Sequence, residues 1–133
     1  MYAVGQSRYR DACLEILDAI ASGDAAGRTS TAVLEEAWHV EMSGDAGHID
    51  GLTERMYLLF TPLLPVSDEA FRFALSLEAP GLGANDRLHV GTCLTHGIEV
   101  MVSADSGFDS VPGVRRVDPL DQPAVRQLVL EGP

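Results

Sequence analysis

Hydrophobic positions along the chain follow helical spacing in five segments. In the first, Cys13, Ile16, Leu17 and Ile20 recur at three- and four-residue intervals, which places them on one face of an amphipathic helix. The same reasoning predicts helices at about Ser7–Ser22, from Ser30 or Thr31 onward, at Gly47–Phe60, after Ser67, and at Asn85–His96. Ser30 or Thr31 is expected to cap the second helix and Ser67 the fourth, and glycines are expected to end the first and fifth.

Short apolar runs between these helices predict strands. Ile98–Ser103 contains three successive apolar residues, a pattern typical of a strand buried on both faces. Shorter strands are predicted at Val114–Val117, at Ala25–Thr29 and within Pro62–Val66. Because helices alternate with strands, the pattern predicts a parallel sheet in an α/β layer fold.

The length of the chain fits one domain. It has 133 residues and a mass of 14.2 kDa. We assign residues 1–119 to the domain and 120–133 to a C-terminal tail, which either docks on a partner or frays. No apolar run reaches the ~20 residues of a membrane span, and no leader pattern opens the chain, so we expect neither membrane insertion nor secretion. Cys13 and Cys93 are too few for a disulfide framework, which favours a reducing cytoplasm.

Charge adds a constraint on function. Twenty acidic residues face nine basic ones, all arginine, and the net charge is −11. Such a surface disfavours unassisted binding to a phosphate backbone, since that binding relies on cationic side chains. It favours either a basic partner or carboxylates gathered around a divalent metal.

Three of the carboxylates stand in unusual positions. Glu36 borders the apolar stripe of the second helix, Asp86 lies in the first turn of the fifth, and Asp105 directly follows the strand at Ile98–Ser103. Ligands bind beyond the carboxyl ends of parallel strands, which favours Asp105 as a functional residue. Structural interpretations remain open: Glu36 as a boundary residue, Asp86 as a partner of the helix dipole, and Asp109 as a turn stabiliser or a member of the same site.

Clustered carboxylates need a cation, because like charges otherwise disfavour each other's ionised form. Hard oxygen ligands select Mg²⁺ or Mn²⁺, and such an ion activates water and binds phosphate. Other chemistries find little support. The histidines lack metal-ligand spacing; His89, close to Asp86, is the one of interest, although an ordinary helix histidine is the favoured interpretation. Cys93 is expected to be a core residue.

Taken in order, several segments resemble motifs of the PIN domain family, most closely its VapBC-type toxin ribonucleases. Ser30–Glu36 is similar to a serine-led helix with an acid six residues on. Asn85–His89 is similar to an Asp-x-x-His helix start, and Val102–Asp109 to a strand end of the form Ser/Thr-x-Asp-x-x-Phe-Asp. Val114–Pro119 fits the family ending, so the resemblance covers about residues 1–119.

The resemblance implies a three-layer α/β/α fold with a central, mostly parallel sheet, and metal-dependent cleavage of RNA with Mg²⁺ or Mn²⁺. Glu36, Asp86 and Asp105 carry over as catalytic and metal-site acids, with Asp109 as a candidate fourth ligand and Ser103 as a supporting hydroxyl. A homodimer and a cognate antitoxin with a basic segment are also implied.

The beginning of the chain departs from the family pattern. Members open with an apolar strand carrying Asp-x-Asn, whose Asp is a metal ligand, and Met1–Val4 resembles the family residues just after that motif. We expect either an earlier natural start, the interpretation we favour, or a shortened form whose first strand is lacking or truncated. The 133-residue chain is expected to bind metal weakly or not at all. Two functions stay open: a ribonuclease completed by the N-terminal Asp, and an inactive PIN-like binding module.

Overall fold

A computed structural model describes residues 7–44, 47 and 49–131. The elements in chain order are α1 (Arg10–Ser22), α2 (Thr31–Ser43), α3 (Leu52–Phe60), α4 (Asp68–Ser76), α5 (Ala84–Thr95), β1 (Val100–Val102), a 3₁₀ helix (Ser106–Ser110), β2 (Arg115–Val117) and α6 (Gln122–Glu131). Six α-helices and a two-stranded parallel sheet in these ranges confirm the predicted α/β class. Met1–Val4, which resembles the family residues just after the first strand, lies outside the described residues. Within them, no helix has the length and apolar character of a membrane span.

The five predicted helices are present, and local signals set several of their ends. The Ser30 hydroxyl accepts a hydrogen bond from the Val33 N–H at 3.3 Å, and the Ser67 hydroxyl accepts one from Ala70 at 3.1 Å, so both predicted N-caps are confirmed. α1 ends at Gly23, whose φ of 82° is the left-handed conformation that favours glycine.

Two helical regions differ from the prediction. The third helix begins at Leu52, five residues later than Gly47, because the segment before it turns at Gly51 with a φ of 73°. His48, within the predicted range, lies outside the described residues. A sixth helix, α6, forms in the predicted tail, and it shares an apolar groove with α1 that Ile16 and Val125 help to line.

The sheet is smaller than the strand pattern predicted. β1 and β2 pair in parallel with Met101 opposite Arg116. Burial of β1 on both faces was a wrong prediction. Met101 packs against the core, whereas Val102 points to the opposite face and is 44% exposed, since side chains alternate along a strand.

The predicted strand at Ala25–Thr29 is also wrong. Only one parallel bridge forms there, between Ser30 and Leu64, with the Leu64 N–H donating to the Thr29 carbonyl at 2.9 Å. This single bridge lies at the start of α2 and does not continue to the residues before it, so Ala25–Thr29 stays irregular.

α5 is the element that positions the candidate site. Val90 is fully buried in a cluster with Phe108 and Val111. Gly91 lies directly against α4: a Cβ at this position would be 2.5 Å from the Ala70 carbonyl oxygen, so only glycine fits without moving the helices apart. This packing holds α5 firmly on the α4 side and leaves its first turn facing α2.

Candidate functional site

Glu36 reaches from α2 to the first turns of α5. Its Oε1 accepts a hydrogen bond from Asn85 Nδ2 at 3.2 Å and lies 3.3 Å from His89 Nε2. The Glu36 side chain is 37% exposed, which agrees with its predicted position at the edge of an apolar stripe. Tertiary contact therefore brings this acid to the helix start that carries Asp86.

Asp86 lies in the first turn of α5 and is half-buried. It precedes His89 by three residues, so the two occupy neighbouring positions on one helix face. The N-cap of α5 is Gly83, which makes no side-chain cap. Asn85 does not cap the helix either, because its side chain binds Glu36. The first turn of α5 thus combines a carboxylate with backbone N–H groups that have no partner within the helix.

A second set of predicted residues stands at the carboxyl end of β1. The Ser103 N–H donates to the Val117 carbonyl at 3.0 Å, and its hydroxyl accepts from the Asp105 N–H at 3.1 Å. Asp105 Oδ1 accepts from the Gly107 N–H at 2.8 Å and so caps the 3₁₀ helix. Asp105 itself is exposed, and its second oxygen accepts no hydrogen bond from the described residues.

Asp109 is held by an arginine. Arg116 donates to both of its oxygens, from Nε at 2.6 Å and from Nη2 at 3.1 Å. The same guanidinium donates to the Ser103 carbonyl at 2.9 Å and to Asp118 at 3.3 Å. These hydrogen bonds lower the pKa of Asp109 and raise the pKa of Arg116. The contacts favour the turn-stabilising interpretation of Asp109; a role as metal ligand stays a prediction.

The predicted acids therefore form two sets, Glu36 with Asp86 and Asp105 with Asp109, and no described hydrogen bond or ion pair joins them. Among residues 7–44, 47 and 49–131, no group of three His, Cys, Asp or Glu side chains is arranged to hold a metal ion. Mg²⁺, however, is commonly bound by only one or two carboxylates, with water and phosphate completing its coordination. Glu36 and Asp105 each keep one oxygen that accepts no hydrogen bond from a described residue, so the donors fit Mg²⁺ or Mn²⁺ in chemical type.

Sequence reasoning missed the side chains that hold these acids. It pointed to His89 for its proximity to Asp86 but not as a partner of Glu36, and it did not single out Arg116. The four-residue spacing of Asn85 and His89, which puts two donors on one helix face, was the available signal. The Cys93 thiol is half-buried and burial raises its pKa, in agreement with its interpretation as a core residue.

Comparison with known proteins agrees with the resemblance. The PIN domain family model matches residues 1–114. Two curated relatives, VapC ribonuclease Mb1869c of Mycobacterium bovis and Ribonuclease VapC13 of Mycobacterium tuberculosis, are each 30% identical over 128 residues, which cover 88% of this chain and 92% of the relative. No solved structure gives a significant match. The chain therefore belongs to the PIN domain family and is similar to its VapC-type ribonucleases.

Proposed function

We propose that this protein is the ribonuclease toxin of a toxin–antitoxin system and hydrolyses RNA phosphodiester bonds at a carboxylate-bound Mg²⁺ or Mn²⁺. The observation that carries the proposal is the position of Glu36 beside the first turn of α5. Hydrogen bonds hold one of its carboxylate oxygens, and the other accepts none from a described residue. Asp86 lies in that same turn. The names of the two relatives, both ribonucleases, support RNA as the substrate.

In this proposal the ion's ligands are the three acids that the resemblance implies, of which Glu36 and Asp86 lie beside the first turn of α5 and Asp105 lies in the separate set after β1, where the Ser103 hydroxyl supports it. The ion supplies positive charge for a phosphate group and lowers the pKa of bound water. That charge is needed because the chain carries a net charge of −11, which by itself repels RNA. Arg116 keeps the loop after β1 in place by binding Asp109 and the Ser103 carbonyl.

A second candidate is a PIN-like binding module without catalytic activity, which forms a homodimer or binds a basic antitoxin. It is favoured by the missing three-ligand group among the described residues and by the acidic charge. Trp38 and Met42, which are 58% and 75% exposed on α2, supply apolar surface for such a protein partner. Both candidates fit a reducing cytoplasm, where Cys13 and Cys93 stay free thiols.

An RNA-cleavage assay with Mg²⁺ or Mn²⁺ separates the two candidates. We expect Asp86→Asn to lower the cleavage rate by about 100-fold or more, because it removes one negative ligand from the ion. Asp68→Asn is the matched control: Asp68 also lies in the first turn of a helix, so both variants lose the same favourable interaction with a helix dipole. Asp68→Asn should cleave like the wild type.

The assay includes the same chain preceded by an apolar strand with Asp-x-Asn, since the resemblance predicts that this Asp strengthens metal binding. Equal cleavage by Asp86→Asn and wild type would reject the assignment of the site. If neither form cleaves RNA and neither binds Mn²⁺, the binding module is the correct function.

A further inference from the structure

We infer that His89 is a positioning residue for Glu36: with Asn85, it fixes one carboxylate oxygen of Glu36 and keeps the other free for the cation. The inference rests on the proposed function and concerns the same site. It goes further because it gives a role to a neutral side chain that would not itself bind the ion.

Both donors bind the same oxygen. Asn85 Nδ2 is 3.2 Å and His89 Nε2 is 3.3 Å from Glu36 Oε1, whereas Oε2 accepts no hydrogen bond from a described residue. Rotation of the carboxyl group would break both contacts at once. Two donors on one oxygen therefore set the direction of the second oxygen, which is the one left to bind a cation.

Burial of the imidazole determines which of its nitrogens donates. The His89 side chain is 11% exposed, and its Nδ1 is buried with no hydrogen-bond partner in the described part of the chain. With the hydrogen on Nε2, His89 donates to Glu36 and leaves Nδ1 as a bare acceptor. The other tautomer would place an acceptor against the carboxylate. Both that tautomer and the imidazolium would also bury an unpaired N–H at Nδ1, which is costly.

The two donors are also suited to positioning Glu36 as a metal ligand, because neither donor needs a positive charge to make its hydrogen bond. A neutral imidazole and an amide orient the Glu36 carboxylate without cancelling its negative charge, so the carboxylate still attracts a cation. Hydrogen bonds of this kind orient metal ligands in many proteins. A purely structural tie between α2 and α5 is the competing role. However, Val90 in the core and Gly91 against α4 already hold α5, so the tie contributes little to its placement.

The test follows Mn²⁺ binding by NMR, since the paramagnetic ion broadens nearby amide signals even when it binds weakly. We expect selective broadening around Glu36 and the first turn of α5 in the wild-type chain. His89→Leu removes the donor and should raise the Mn²⁺ concentration needed for half-broadening by about 10- to 100-fold. His89→Gln restores a donor at nearly the same reach and should recover most of the affinity. His96→Leu, at the exposed C-terminal end of α5, is the matched control and should behave like the wild type.

Melting temperatures of all variants are measured with the metal titrations, because the inference concerns orientation and not folding. If His89→Leu remains folded and binds Mn²⁺ as tightly as the wild type, the inference is overturned while the proposed function stands. If His89→Gln is as defective as His89→Leu, the hydrogen bond is not the cause and the inference is again overturned. The titrations are run on the 133-residue chain and on the same chain preceded by the Asp-x-Asn strand. If neither wild-type form shows selective broadening, the proposed function is overturned and the inference with it.

Discussion

Two regions of the molecule hold a carboxylate in opposite ways. Beside α5, Glu36 meets two neutral donors on one oxygen, at 3.2 and 3.3 Å, and its second oxygen stays open. At the carboxyl ends of β1 and β2, Asp109 meets the Arg116 guanidinium with both oxygens, at 2.6 and 3.1 Å. In the first arrangement the carboxylate keeps its net negative charge and one oxygen without a hydrogen bond. In the second, the guanidinium balances the charge and binds both oxygens.

The difference shows that the partner of an acid, rather than its position in a motif, determines what it can bind. A bidentate arginine supplies charge and two parallel hydrogen bonds, so a cation would have to displace it before reaching Asp109. Neutral donors impose no such competition at Glu36. Both acids lie in segments that resemble PIN motifs, yet of the two only Glu36 keeps an oxygen that accepts no hydrogen bond from a described residue.

Exchanging each acid for its amide is the strongest test of this comparison. We expect Glu36→Gln to lower metal-dependent RNA cleavage by about 100-fold, because the amide loses the charge that attracts the cation. Asp109→Asn should leave cleavage within about 3-fold of the wild type, since its carboxylate belongs to an ion pair outside the metal site. Single-turnover cleavage across a Mn²⁺ titration measures both. A loss in Asp109→Asn as large as that in Glu36→Gln, with the fold intact, would return Asp109 to the metal site.

The next test removes the positively charged side chain of the second region, Arg116. Arg116→Met keeps much of the aliphatic stem and removes the guanidinium, which leaves Asp109, the Ser103 carbonyl and Oδ2 of Asp118 without their donor. Because the Arg116 side chain is only 13% exposed, we expect the melting temperature to fall by several degrees.

Arg72→Met is the control for this variant. Arg72 also pairs with an aspartate, Asp68, at 3.0 Å, but the two side chains are 73% and 87% exposed. Exposed pairs of this kind contribute little to stability, so the melting temperature should hardly change. Equal losses in the two variants would mean that Arg116 acts as an ordinary surface residue.

The sequence predicted helices better than strands, for a physical reason. The caps at Ser30 and Ser67 and the stop at Gly23 are interactions within a few residues of one another, so they can be read locally. Pairing and burial of strands depend on residues far along the chain. Val102 illustrates this: its apolar neighbours along the chain indicated burial, but the core packs against Met101, and Val102 on the other face is 44% exposed.

The site was also predicted in part, and its unpredicted features again depend on residues far apart along the chain. Positions along the chain singled out Glu36, Asp86 and Asp105 as acids of interest, and the motif resemblance implied a shared role for them, because a resemblance carries information about the fold. The partners of Glu36 lie tens of residues away: Asn85 is 49 positions and His89 is 53 positions from Glu36 along the chain. Local spacing places Asn85 and His89 on one face of a helix, but it does not show that Glu36 would meet these donors or that Asp109 would meet an arginine.

The smallest expected effect concerns pH, and it tests the charge of the second region directly. The hydrogen bonds from Arg116 lower the pKa of Asp109 below its usual value of about 3.9. An acid whose folded pKa is lowered stabilises the protein above its unfolded pKa, and that contribution is lost as the pH falls through the folded pKa. Asp109→Asn should therefore melt a few degrees below the wild type at neutral pH, and the gap should close as the pH falls below about 4. The pKa of Glu41 is also lowered, chiefly by a hydrogen bond from the Thr53 side chain, but it titrates in both proteins and cancels in their difference. In the Arg116→Met background the same exchange should produce no pH-dependent gap, because the partner that lowers the pKa is gone. A gap that persists there would assign the stabilisation to the turn and not to the ion pair.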